Sequence, residues 1–223
     1  SYGQTTSGFV LNPSFEDGPA GNIPKYQTLN DWKLGGDNSG ADGVSADIQT
    51  TNVYAGEGSN ALEVTSVNSL PTTGNNPQLG EWNIKVWSTT YPFAGNGTNP
   101  IEVTVAFWAK TTDVNPISAN TNGDMRVIVK DTGSSNLGNQ ANRVILTTGA
   151  WAYITKTFTF VAAADYSLSL NLEFGKVDGV TQIDGITTSV TGGASIGDST
   201  APVITLVGDN PQELTRGDAY VEL

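Results

Sequence analysis

The chain has 223 residues, no cysteine and no histidine, and Lys+Arg 10 against Asp+Glu 22 gives a net charge of −12. The two missing residue types exclude disulfides, a thiolate zinc site, a Cys nucleophile and Ser-His-Asp catalysis. The acidic balance argues against nucleic acid and anionic membrane surfaces as partners and disfavours anionic polysaccharides, although a local basic strip would override the net value.

Thr, Val, Asn, Ser and Gly dominate the composition, as expected of strands and turns. No stretch places apolar residues at helical spacing, and no apolar run approaches the roughly 20 residues of a membrane span. Residues 1–6 carry no signal peptide and read as a trimmed start. Hard oxygen ligands are plentiful, which makes calcium the plausible metal.

The first element is Leu11 to Gly18. Strand alternation lets Phe15 face a core while Glu16 faces away, and Pro13 makes this a broken or edge strand. Residues 22–32 read as a loop leading to Asp31-Trp32-Lys33-Leu34, and 35–43 as a second loop. A short strand is expected over 44–50, a turn over 54–60 and a cleanly alternating strand over 61–65. Residues 79–89 read as one long strand. There Trp87 shares a face with Asn83 and Lys85, and Trp82 shares the other with Ile84 and Val86. Alternation alone thus makes Trp87 a ligand candidate and Trp82 a core residue.

The clearest strand is 101–110. Val103, Val105, Phe107 and Ala109 point one way, which sends Trp108 out of the core. In 125–130, Met125, Val127 and Val129 oppose Arg126, Ile128 and Lys130. Strands follow over 142–147, 153–160 and 166–174. In the last, Leu170, Leu172 and Phe174 oppose Asn171 and Glu173. Residues 180–190 close the domain. About ten short alternating strands with frequent turn signals read as an all-β sandwich, a jelly roll of two antiparallel sheets. Composition shifts over 191–200, a flexible linker after a module spanning 1–190. The strand-forming tail 201–223 is too short for a core of its own.

In their order and spacing, Asn12…Phe15-Glu16, Gly56-Glu57-Gly58-Ser59-Asn60-Ala61-Leu62-Glu63-Val64, Val105-Ala106-Phe107-Trp108-Ala109-Lys110, Gly149-Ala150-Trp151, Phe174-Gly175 and Ile183-Asp184 resemble the carbohydrate-binding modules of families four, nine and twenty-two. The likeness runs from about Gly8 to Val190. The tail resembles the opening of a bacterial immunoglobulin-like domain. The resemblance implies a non-catalytic glycan-binding jelly roll with a structural calcium ion. Glu16, Glu57 and Asp184 would give carboxylate oxygens, Asn60 its carbonyl, and a further carbonyl would come from near Gly35 or Gly36. It also implies a monomeric module of a larger secreted or cell-surface bacterial protein.

The same resemblance puts a sugar-binding Trp at Trp82, against the alternation; a β-bulge would let Trp82 and Trp87 share one groove. Trp108 joins them as a stacking ring. Arg126, Lys85, Asn171 and Glu173 supply hydrogen bonds to hydroxyls, with Trp32 and Tyr26 as a wall at one end. Trp151 is expected to pack structurally. The ligand expected first is a neutral polysaccharide, a laminarin-type β-1,3-glucan, chosen because the chain is acidic. Xylan and alginate are alternatives. Other readings are a jelly-roll polysaccharide-degrading enzyme, which needs only two carboxylates, and an adhesive module with an exposed apolar patch.

Overall fold

A computed structural model describes residues 5–37, 39, 42–67, 81–113, 125–130, 136–137, 143–192 and 194–195. The tail 201–223 and most of the expected linker lie outside the described residues. The chain opens with β1 (Thr5–Ser7), β2 (Gly21–Asn22), β3 (Thr28–Leu29), β4 (Trp32–Gly35), β5 (Ser45–Gln49) and β6 (Ala61–Ser66). After a 3₁₀ turn at Glu81–Asn83 come β7 (Lys85–Ser88), β8 (Tyr91–Ala94), β9 (Pro100–Thr111) and β10 (Met125–Lys130). The rest is β11 (Asn136–Leu137), β12 (Arg143–Val144), β13 (Ala152–Val161), β14 (Tyr166–Glu173), β15 (Gly179–Thr191) and β16 (Ala194–Ser195).

The strands form two sheets whose ladders are antiparallel throughout, the all-β sandwich that the alternation implies. One sheet has the order β13-β9-β15-β6-β5-β2, with β1 on β15. The other has the order β11-β10-β14-β7-β4-β3, with β12 on β10, β8 on β14 and β16 on β8. Thr191 still belongs to β15 and Ala194–Ser195 pairs with β8, so the sandwich runs past residue 190. The core lies between the sheets. Val103, Val105 and Phe107 of β9 and Leu168, Leu170 and Leu172 of β14 are fully buried, together with Met125, Val127 and Val129 of β10. Each such side chain contributes about 1.5–3 kcal/mol on burial.

The expected strand at Leu11 to Gly18 is instead a hydrogen-bonded knot, because Asn12 and Phe15 have φ of 50° and 63°. Asn readily adopts this left-handed conformation and Phe does not, so the surroundings must hold Phe15 there. The Asn12 amide donates to the carbonyls of Asp17 and Asn30 and accepts from the Asp17 N–H. Phe15 is buried, as its spacing predicts, and its carbonyl accepts from the Asn60 side chain at 3.0 Å.

Trp32 does not wall a groove. Its relative exposure is 0%, its ring lies 5.2 Å from that of Phe15, and its Nε1 donates to the Asn12 carbonyl. The cause is a two-residue hairpin. Asn30 and Asp31 have φ of 47° and 72°, and Leu29 pairs with Trp32. Such a turn fixes register, and here it sends Trp32 and Leu34 inward and Lys33 outward.

Candidate functional site

The outer face of the second sheet gathers most of the expected sugar-binding residues. Opposed residues of an antiparallel pair share a face. The pairs Lys33–Trp87, Trp87–Asn171 and Asn171–Ile128 therefore make one row across β4, β7, β14 and β10. A second row runs Gly35–Lys85–Glu173–Arg126–Arg143. Lys130 lies beyond, opposite Ser169. The floor of this face is buried, with Asn171 at 3% and Glu173 at 2% exposure, whereas the marginal rings of Trp82 and Tyr26 reach 44% and 58%.

Glycine shapes one margin. A Cβ on Gly35 would stand 2.6 Å from the Trp87 ring and from the Tyr26 ring, so both aromatics depend on its absence. The Tyr26 hydroxyl donates to the Gly36 carbonyl at 3.3 Å. Lys85 Nζ lies 5.3 Å from the Trp87 ring centroid and Lys25 Nζ 5.2 Å from that of Tyr26, both cation–π distances.

Trp82 reaches the other margin by an unexpected route. Of the expected strand over 79–89, the described residues 81–89 are not one strand and carry no bulge between the two tryptophans. The 3₁₀ turn Glu81–Asn83 resets the alternation, so Ile84 and Val86 stay buried while Trp82 turns out. The Arg126 guanidinium lies 5.8 Å from its ring centroid. Arg126 also grips Glu173, with Nη2 at 2.6 Å and Nε at 2.7 Å from the same carboxylate oxygen. Asn171 Oδ1 is buried and accepts no hydrogen bond. Burial holds the Lys130 ammonium below its usual pKa; the Lys85 and Arg126 charges push the same way, against Glu173.

Trp108 lies on the other sheet. It does leave the core, but β9 pairs with β13 and β15, so Trp108 faces out on the opposite side of the sandwich from Trp82 and Trp87. There it stacks on Tyr54 with centroids 3.9 Å apart and lies 5.0 Å from Tyr153. Trp151 meets Tyr54 edge-on at 5.7 Å, the packing role its position implies. Trp108, Tyr54 and Trp151 pack on one another, while Tyr153 at the margin of the cluster stays exposed.

Beneath that cluster the expected metal-site acids converge. Asp184, paired with Trp108, is fully buried and accepts from the N–H groups of Tyr54 and Gly185, each at 2.8 Å. Burial pushes its pKa up to about 6; those two N–H donors pull it down, and the Glu57 and Glu16 charges push it up. Glu57 leans on Gly185, where a Cβ would stand 2.6 Å from its carboxyl carbon. Glu16 Oε1 accepts from the backbone N–H groups of Ser59 and Asn60, both at 2.7 Å. Carboxylate oxygens are the donor chemistry that calcium takes, and the Glu57 and Glu16 charges both act on Asp184. Their placement is looser: among the described residues, no group of three or more acidic side chains is arranged to hold a metal. The expected extra ligand at Gly36 is elsewhere. Its carbonyl accepts from the Ser39 hydroxyl and from Tyr26, beside the backbone of Asn83 and Trp82.

A scan of known family models matched none, and a search of curated proteins found no relative. Solved structures define the class, a β-sandwich shared by many proteins. The chain is similar to the CBM22-1 xylan-binding domain of Paenibacillus barcinonensis Xyn10C, with 17% identity over 85% of this chain and 96% of that one and a TM-score of 0.46. It is similar to the arabinose-bound MgGH51 α-L-arabinofuranosidase, with 10% identity over 84% of this chain and 27% of that one and a TM-score of 0.52. A cyclase from Fischerella sp. TAU matches with 14% identity over 84% of this chain and 98% of that one and a TM-score of 0.50. At these identities the likeness is one of fold, and function must be argued from the site.

Proposed function

We propose that the chain is a non-catalytic glycan-binding module whose site is the outer face of the second sheet. The observation that carries this reading is the pairing of two exposed rings and one half-buried ring with a buried, unpaired acceptor. Trp82, Trp87 and Tyr26 offer apolar faces for sugar C–H groups, and Asn171 Oδ1 lacks a donor that a hydroxyl would provide. A buried acceptor left unpaired costs about 1–3 kcal/mol, so a ligand hydroxyl that reaches it recovers part of that cost. Catalysis fits less well. Among the described strand residues facing out on this sheet, Glu173 is the one carboxylate, and Arg126 holds it. Hydrolysis by two carboxylates lacks its second member there.

Polysaccharide chains are the ligand class, with laminarin-type β-1,3-glucan the neutral candidate and xylan its rival. The protein would carry this module at the bacterial surface or in secretion, targeting a larger assembly to its glycan. Glu16, Glu57, Asp184 and the Asn60 carbonyl would hold a structural calcium ion, which would neutralise the carboxylates and tie Leu11–Gly18 to the turn before β6. Isothermal titration with glycan oligomers tests the site: binding that Trp87→Ala weakens about tenfold supports it. Normal binding by Trp87→Ala and Trp82→Ala alike would place the site elsewhere.

A further inference from the structure

The acidic chain carries a locally cationic face. Lys33, Lys85, Arg126 and Lys130 face outward on the second sheet against the carboxylate of Glu173, which gives 4 − 1 = +3 among those described strand residues of β4, β7, β14 and β10. Those four are drawn from only ten Lys and Arg, in a protein of net charge −12. The charges are crowded: Lys130 is half-buried and feels Lys85 and Arg126, which Glu173 offsets in part. Such crowding is unfavourable in the empty face and becomes favourable once an anion enters. The net charge does not prevent this, because at physiological salt charges more than about 8 Å away are largely screened.

We propose that this face selects an anionic glycan, a chain of uronate sugars whose carboxylate sits among Lys85, Arg126 and Lys130 while a sugar ring lies on Trp87. The assignment rests on the reading of the face as a glycan site and names its substrate class. Arg126 already spends two donors on Glu173 and has others left, since a guanidinium carries five. Lys85 sits where a carboxylate and a stacked ring meet: it opposes Glu173 in register and lies over the Trp87 ring. Lys33 opposes Trp87 in register from the other side, so a lysine of β4 and a lysine of β7 border that ring. A neutral β-glucan would use the rings and leave the cationic surplus unanswered.

Isothermal titration of the full chain with oligomers of alginate and of polygalacturonate, each beside its carboxyl-reduced neutral counterpart, tests the assignment. Laminarin oligomers and a sulfated galactan oligomer of equal length complete the set. The expected result is uronate binding at least tenfold tighter than that of the reduced chain, weakening steeply between 50 and 500 mM NaCl as charge-assisted contacts should. Lys85→Gln and Lys130→Gln are each expected to weaken uronate binding about tenfold, the loss of one charge-assisted hydrogen bond. Lys110→Gln, on the opposite sheet, leaves it unchanged. Equal or tighter binding of the reduced chain or of laminarin overturns the uronate assignment and leaves a glycan module standing. Tighter binding of the sulfated oligomer overturns it in favour of sulfate. Binding to none of them overturns the glycan reading itself.

Discussion

The ring of Tyr54 stacks on that of Trp108 with centroids 3.9 Å apart, while the Tyr54 N–H donates to the buried Asp184 carboxylate at 2.8 Å. One residue thus ties an aromatic cap to the buried acid beneath it, and Trp108 is expected to act in packing. Trp108→Ala is expected to destabilise the fold by about 1–3 kcal/mol, from lost burial and ring pairing. For a chain of this size that lowers Tm by roughly 2–10 °C. Glycan affinity should stay unchanged in a titration carried out below the lowered Tm. A loss of binding by the folded variant would return Trp108 to the site.

Trp82→Ala behaves in the opposite way. The ring is 44% exposed and contacts the Arg126 guanidinium at its edge of the floor. Its removal costs little stability, within about 0.5–1 kcal/mol as for other exposed positions. Glycan affinity should fall by about tenfold, the worth of a lost stacking contact with its burial. Thermal melts and titrations on the same preparation separate the two effects.

The sequence shows which side of a strand faces the core far better than it shows where the strand lies. The alternation in Leu168, Leu170 and Leu172 against Asn171 and Glu173 holds in the fold, because a one-residue slip would turn the polar set into the core between the sheets and the leucines out of it. Trp108 was legible as outward, but its sheet depends on pairing with β13 and β15, residues more than forty positions away. Trp32 was hidden by reading 22–32 as loop, although Trp32-Lys33-Leu34 alternates and Asn30-Asp31 is a hairpin turn signal. Trp82 defied alternation because a 3₁₀ turn breaks the period. That Glu16 and Glu57 lie near enough for their charges to act on Asp184 could not be read from spacing, since the three stand on separate elements; only the family resemblance grouped them. The cationic face could not be read from the chain, because it arises from register across β4, β7, β14 and β10.

Gly35→Ala tests the shape of the face without touching its charge. The new Cβ would stand 2.6 Å from the Trp87 and Tyr26 rings, so one or both must move. Gly35 has no positive φ, so backbone strain is not at issue. Overpacking of this kind costs about 1–3 kcal/mol. Glycan affinity should fall at least fivefold, and Trp fluorescence should shift as Trp87 is displaced. Unchanged fluorescence and affinity would show that Gly35 is not what lets these rings lie where they do.

Asp184 gives the metal-free protein a pH dependence of definite sign. Burial raises its pKa from 3.8 to about 6, so the folded state binds this proton more tightly than the unfolded chain. The resulting stability is fully present below pH 3.8 and is lost as pH rises through about 6. This single group contributes on the order of 1–3 kcal/mol across that window. Urea unfolding between pH 4 and 7 checks it on protein dialysed free of metal. Asp184→Asn should flatten the slope in this window. A slope unchanged by that substitution would assign the proton to another group.

Glu16 separates a hydrogen-bonding role from a metal-binding one. Its Oε1 accepts from the N–H groups of Ser59 and Asn60 and so pins the opening knot to the turn before β6 without any ion. Glu16→Gln keeps an oxygen acceptor there, whereas Glu16→Ala removes it and is expected to cost about 1–2 kcal/mol. Calcium bound only to the folded state at 100 times its Kd would add about 2.7 kcal/mol. The wild type should therefore lose several degrees of Tm to a chelator. Glu16→Gln should resemble the chelated wild type and respond little to added calcium, because the metal site has lost a carboxylate. A Glu16→Gln protein that gains as much from calcium as the wild type would leave Glu16 as a structural acceptor alone. A wild type indifferent to chelator and to added calcium would mean that the hydrogen bonds fasten the sandwich by themselves.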